Sequence, residues 1–267
     1  MTATVSQLWV YPVKSLKGIR LESSRVTARG LAHDRRFVVV DEGGVFLTQR
    51  EFPAMATVWT EIAGQALRLS APDAGEVAVP LEPGEGEPLQ AEVWNSVTPA
   101  IAPSREADRW LSEVLGRTCR LAYMPEGTRR ESNARYAGTG RLVSYADGYA
   151  HLVVSEASLA ALNARLERPV SLDRFRPNIV LAGPGAFEED AWTDFAAGTA
   201  RFRMAKPCGR CQVTTTDQST GEVTGPEPLA TLGAWRPSEE FGARFGMNAV
   251  TLSEGDLRVG DEARRGG

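Results

Sequence analysis

Through the first hundred residues, apolar positions recur in short runs, often at every second position, with Gly, Pro, Asp and Asn between them. "SQLWVYPV", "LESSRVTA", "RRFVVVD", "VFLTQR", "ATVWTEIAG", "ALRLSA", "GEVAVPL" and "LQAEVWN" all read this way. Rich in Val, Leu, Thr and Trp and separated by turn residues, they predict the strands of a barrel or sandwich. Glycines in "DEGGVF" suit a tight reversal, so this stretch reads as a hairpin. The period then lengthens. In "PSREADRWLSEVLG", Ala107, Leu111, Val114 and Leu115 share one helical face, Ser104 caps the start and Gly116 closes the end. This helix stands as a hinge between two parts, expected at 1–118 and 119–267. A second helix is written in "SEASLAALNARLERP", with Ser155 as cap, Leu159, Leu162 and Leu166 on one face and Pro169 beyond its end. The polar stretch "PEGTRRESNARYAGTGR" lies between the helices as a loop. Afterwards "RPNIVLAG", "ARFRMAKP", "CQVTTTD" and "NAVTLSEG" return to strand-like pattern. The expectation is an α+β fold, mostly β, with an N-terminal barrel-like subdomain packed on a second barrel.

Composition narrows the function classes. With 267 residues, 42% hydrophobic and 24% charged, the chain can bury a core without covalent staples. A net charge of -4 gives no global attraction to nucleic acid or anionic lipid. No apolar run approaches the roughly 20 residues of a spanning helix, so the expectation is a cytoplasmic protein without a membrane partner. Three cysteines do not make a disulfide framework in a chain this long. Cys119 reads as a small buried residue, whereas Cys208 and Cys211 form a C-x-x-C.

That pair admits several readings. Structural zinc needs four ligands, but His33 and His151 stand alone and there is no second C-x-x-C. A thioredoxin-like dithiol needs its first Cys at a helix start, whereas the β-branched "QVTTTD" reads as a strand. A single thiolate could ligate a soft metal carried in by a cofactor. Both thiols could also be buried core residues. Basic residues beside turn-prone backbone recur in "YPVKSLKG", "HDRRF", "GTRRESNARY" and "RFRPN". Singly each is a solvated charge; together they suit a phosphorylated, hydrogen-bonding ligand. Neither G-x-G-x-x-G nor a P-loop is present, so nucleotides lack their usual cradle.

"VYPVKSLKG", "GLAHDRRFVVVD", "SEASLAALNARL", "FRPNIVL" with "GAFEEDAW", and "CGRCQVTTTDQSTG" followed by "PLATL" carry a family likeness. Over residues 5–262 the chain resembles the molybdenum cofactor sulfurase C-terminal (MOSC) proteins with an N-terminal MOSC β-barrel, in particular those that reduce amidoximes. The resemblance implies a molybdenum cofactor, a metal on molybdopterin held by one protein cysteine. It assigns the metal ligand to Cys211 and not to Cys208. It assigns pterin and phosphate binding to Lys14, Ser15, Arg36, Arg176, Asn178 and Arg210, and puts Asp217 near the substrate face; with no obvious histidine base, Asp217, a cofactor group or water is expected to supply the proton. "YADGYAHLVVS" departs from the family where a Thr-Ser pair is usual, and backbone around Asp147 to Tyr149 is expected to serve there.

The activity so implied is a molybdenum-dependent oxidoreductase acting on small N-hydroxylated substrates: amidoximes, hydroxylamines and N-hydroxylated bases. With no four-cysteine iron–sulfur set in the sequence, electrons are expected from a separate donor protein of reductase, ferredoxin or cytochrome type. The rival reading is a cofactor or sulfur carrier without turnover of its own. A blander one is a chain of this fold that has lost its cofactor, against which the retained Lys14, Arg36, Arg176 and Cys211 argue.

Overall fold

A computed structural model describes residues 2–266. Seven strands close on themselves: β1 (Ala3–Val10), β2 (His151–Ser155), β3 (Ile179–Ala182), β4 (Asp194–Ala197), β5 (Ala200–Gly209), β6 (Arg244–Ser253) and β7 (Glu262–Arg265). Their order around the barrel is β1-β3-β2-β6-β5-β4-β7 and back to β1. Only β2 and β3 run parallel, and the chain crosses between them through the helix Glu156–Asn163. Alternation along β2 shows why this helix stays in place. Val153 faces a core with Val5, Leu8, Phe195 and Phe202, while Leu152 and Val154 face outward onto Leu162, Phe175, Leu232 and Phe245.

The second half of the molecule is a four-stranded sheet, ordered Phe37–Val40, Arg120–Tyr123, Ser96–Ala102, Glu87–Val93, and a three-stranded meander over residues 59–80. The helix Arg105–Leu115 covers them, buried through Ala107, Trp110 and Leu111. Ser104 Oγ accepts from Ala107 N, and Gly116 adopts a left-handed φ of 62°, as its sequence predicts.

The expected division at 118/119 is crossed in both directions. β1, from the first part, closes the second barrel, and Ser23–Thr27 pairs with Gly255–Arg258. Conversely Arg120–Tyr123 sits inside the N-terminal sheet. Two expectations about single strands are corrected. "VFLTQR" forms no regular strand, although the expected reversal at "DEGGVF" is present: Phe46 bridges Val40 antiparallel, Asp41 N donates to the Val45 carbonyl and Leu47 N to the Val39 carbonyl. "QVTTTD" is no strand but a tight turn over Gln212–Thr215, whose Thr214 and Thr215 hydroxyls bond back to the Cys211 and Gln212 carbonyls.

Candidate functional site

Loops at one end of the barrel converge on a cleft of about 190 Å³. Lys14 and Ser15 come from the turn after β1, and residues 146–149 from the loop before β2. Arg174, Arg176 and Asn178 precede β3, while Cys208 stands at the end of β5 and Arg210 and Cys211 follow it. A rigid barrel presenting ligand groups on its loops is the usual division of labour. Glycine is required in "CGRC": a Cβ on Gly209 would stand 2.2 Å from the Phe241 carbonyl oxygen.

Among the described residues, six cations line the cleft, Lys14, Arg35, Arg50, Arg174, Arg176 and Arg210, and one carboxylate, Asp147. Cys211 is partly exposed to this basic hollow, and so is Cys208. Lys14 is 6% exposed, its backbone N–H donates to the Phe37 carbonyl, and its ammonium pairs with Asp147. Burial draws the Lys14 pKa down and Asp147 opposes that shift. For Asp147 itself desolvation in the cleft works upward, yet Lys14, Arg50 and the Trp94 indole together hold the carboxyl well below its usual range.

Arg176 and Arg35 both stack on Tyr11, at 4.2 and 4.4 Å from guanidinium carbon to ring centroid. The phenol donates to the Pro177 carbonyl at 3.1 Å, and burial pushes its pKa up. Burial brings Arg176 down to about 10, so it remains charged at neutral pH. Arg210 donates through Nε to the Phe245 carbonyl and through Nη1 to the Phe175 carbonyl. Among the described residues, the buried Nη2 atoms of Arg176 and Arg210 have no acceptor. Such donors are costly to leave unmet, and an anionic ligand in the cleft would meet them. His151, buried against the cleft with Nε2 3.0 Å from Thr251 Oγ1, is lowered by burial to about 3 and is neutral.

Of the residues expected to bind the cofactor, Lys14, Ser15, Arg176, Asn178, Arg210 and Cys211 meet in the cleft, whereas Arg36 does not. Arg36 bonds Glu126 Oε2 at 2.8 Å, the Met124 carbonyl at 2.6 Å and Tyr123 Oη at 3.3 Å, away from the cleft. Its neighbour takes the place. Arg35 has a left-handed φ of 48°, which turns it inward, where Nη1 bonds Asp34 and Asn178 at 2.6 and 3.0 Å. Asn178 serves mainly as a brace, since its amide also accepts from Leu152 N and donates to the Trp9 carbonyl. Asp217 does not line the cleft. It stands behind Arg174, bonded to Nη2 at 2.9 Å, and hydrogen bonds from the Ser219 hydroxyl and backbone N–H, the larger causes, lower its pKa and keep it ionised.

Tyr11, Arg50 and the Asp147 carboxylate were not singled out by pattern. A tyrosine before proline and an aspartate in a Gly-containing loop have no period that separates them from ordinary turn residues. Among the described residues no three His, Cys, Asp or Glu side chains gather as a metal cage, so a metal here needs ligands from elsewhere.

Comparisons with known proteins agree with this architecture. Residues 2–118 match the model of the MOSC N-terminal beta barrel domain, and residues 141–264 that of the MOSC domain. The chain is 35% identical to mouse mitochondrial amidoxime-reducing component 1, over 97% of this chain and 81% of that protein. It is 34% identical to bovine mitochondrial amidoxime reducing component 2, with 97% and 82% covered. Human mitochondrial amidoxime-reducing component 1 is 32% identical, with 97% and 81% covered. A closed barrel bearing a cysteine in a cationic cleft, joined to an N-terminal β domain and alike in sequence along nearly its whole length, places this chain in the MOSC family.

Proposed function

We propose that the chain is a molybdenum-cofactor-dependent reductase of small N-hydroxylated compounds, supplied with electrons by a separate redox protein. One observation carries this reading: a partly exposed thiol, Cys211, shares a cleft with six cations, two of which hold buried N–H groups without acceptors. The relatives' names, amidoxime-reducing components, support the substrate class.

The residues present fit the cofactor. Cys211 would offer the soft thiolate that molybdenum takes, and Arg176 and Arg210 would donate to the phosphate and pterin oxygens, with Lys14 adding charge. When bound, the cofactor supplies a redox metal centre able to take an oxygen atom from nitrogen. Protein groups orient and stabilise. Tyr11 holds Arg35 and Arg176 as a stacked pair, and Asp217 holds Arg174. His151 is neutral and Asp217 ionised, so neither serves as the acid. Protons for the released water and the product amine enter from solvent at the cleft mouth.

The test is to purify the protein from cells that make the cofactor, measure molybdenum by mass spectrometry, and assay benzamidoxime reduction with a chemical electron donor. Bound metal with turnover is the expected result. Bound metal without turnover would favour a carrier, and absence of metal would overturn the reading.

A further inference from the structure

At the cleft mouth one residue departs from local rules. Trp94 opens the two-residue turn between the strands Glu87–Val93 and Ser96–Ala102, with a φ of 57°. Gly or Asn usually occupies such a position, and a bulky residue there invites a functional question. Trp94 is also one of the few large apolar side chains left exposed, at 44%. The Arg50 guanidinium sits over its ring at 4.6 Å, where an incoming ring would have to displace it or use the remaining exposed indole surface; Phe46 packs at 5.2 Å, and the indole N–H donates to Asp147 Oδ1 at 3.2 Å. Both Arg50 and Asp147 belong to the cleft wall, so the indole stands at the entrance.

Asp147 is equally telling. Its Oδ1 takes both Lys14 and Trp94, whereas Oδ2 has only Arg50 at 3.7 Å, beyond hydrogen-bond reach. The side chain is 62% exposed, which leaves it reachable from the mouth.

We infer that Trp94 and Asp147 form an outer substrate subsite: the indole is a platform for a planar aryl or heteroaryl group, and Asp147 Oδ2 accepts an N–H of the attached amidine. This rests on the proposed reductase activity and deepens it, by selecting planar N-hydroxylated amidines and bases over small aliphatic hydroxylamines. A small aliphatic hydroxylamine has no ring to stack, and so gains nothing from Trp94.

The test measures benzamidoxime binding to the cofactor-loaded protein by calorimetry without an electron donor, so that no turnover occurs, in wild type, Trp94→Gly and Trp94→Phe. Glycine suits the turn, and melting temperatures check that the variant folds. Stacking of this kind predicts a Kd about tenfold higher for Trp94→Gly, with Trp94→Phe recovering most of the loss. With electrons supplied, the ratio of kcat/KM for benzamidoxime to that for hydroxylamine should fall by a similar factor, through KM. An unchanged Kd in Trp94→Gly, or no binding to wild type, would overturn the inference. Binding that depends on Trp94 without any turnover would uphold the subsite and overturn the reductase reading instead.

Discussion

Charge is handled differently at the N-terminal helix Arg105–Leu115 and in the barrel cleft. In the N-terminal half, Asp108 stands in the first turn of the helix Arg105–Leu115, and burial raises its carboxyl pKa. Its oxygens nevertheless have partners: Leu121 N at 2.8 Å and Arg120 Nε at 3.3 Å. In the barrel cleft the cations outnumber the acids six to one, and Arg176 and Arg210 keep buried Nη2 atoms without acceptors. A network closed on itself secures a fold; one left open at a cavity is completed by a ligand.

The sharpest way to break this contrast is Arg176→Met. Loss of charged hydrogen bonds worth about 1.5 to 3 kcal/mol should lower cofactor retention by about tenfold or more. The apoprotein should fold as well as wild type, since an unmet buried charge has been removed. Molybdenum content and a urea melt of the apoprotein check the two halves of the statement.

His151 gives the next effect. Its folded pKa, about 3, lies below the ordinary value, so the unfolded chain binds the extra proton as pH falls below about 6.5. Stability from this group is therefore full above that pH and declines towards pH 3. At pH 5 the loss is about 2 kcal/mol, and His151→Asn should flatten it. Denaturant midpoints at pH 7.5 and pH 5 would show whether it does.

Asp108→Ala tests the closed network. Leaving Leu121 N without its acceptor should cost about 1 to 3 kcal/mol of stability, with molybdenum content per folded chain unchanged. A fall in metal content without loss of stability would contradict the division between the halves. The smallest effects are expected where sequence reading and structure part: Arg36→Ala should leave cofactor content within about twofold of wild type, a difference under 0.5 kcal/mol, whereas Arg35→Ala should not.

Those two arginines show what pattern can and cannot reveal. Most strands, both helix caps and the convergence of Lys14, Arg176, Arg210 and Cys211 are legible, because periodicity, cap residues and family motifs each mark a local choice. In "HDRRF" two arginines stand side by side, and which one faces the cleft depends on the left-handed turn at Arg35, which nothing in the residue type announces. "QVTTTD" misleads for a related reason. β-branched residues favour strands only where a neighbour can pair with them, and here threonine hydroxyls close a tight turn instead. The swap of β1 into the second barrel is a tertiary pairing, invisible to any window along the chain.

The account stands on the sulfur of residue 211 as the protein's bond to the metal, and molybdenum per chain in Cys211→Ala, Cys208→Ala and wild type, all purified from cofactor-producing cells, tests that most directly. Wild type and Cys208→Ala should hold near-stoichiometric metal while Cys211→Ala loses most of it. Equal retention, or equal loss, in the two variants would contradict it.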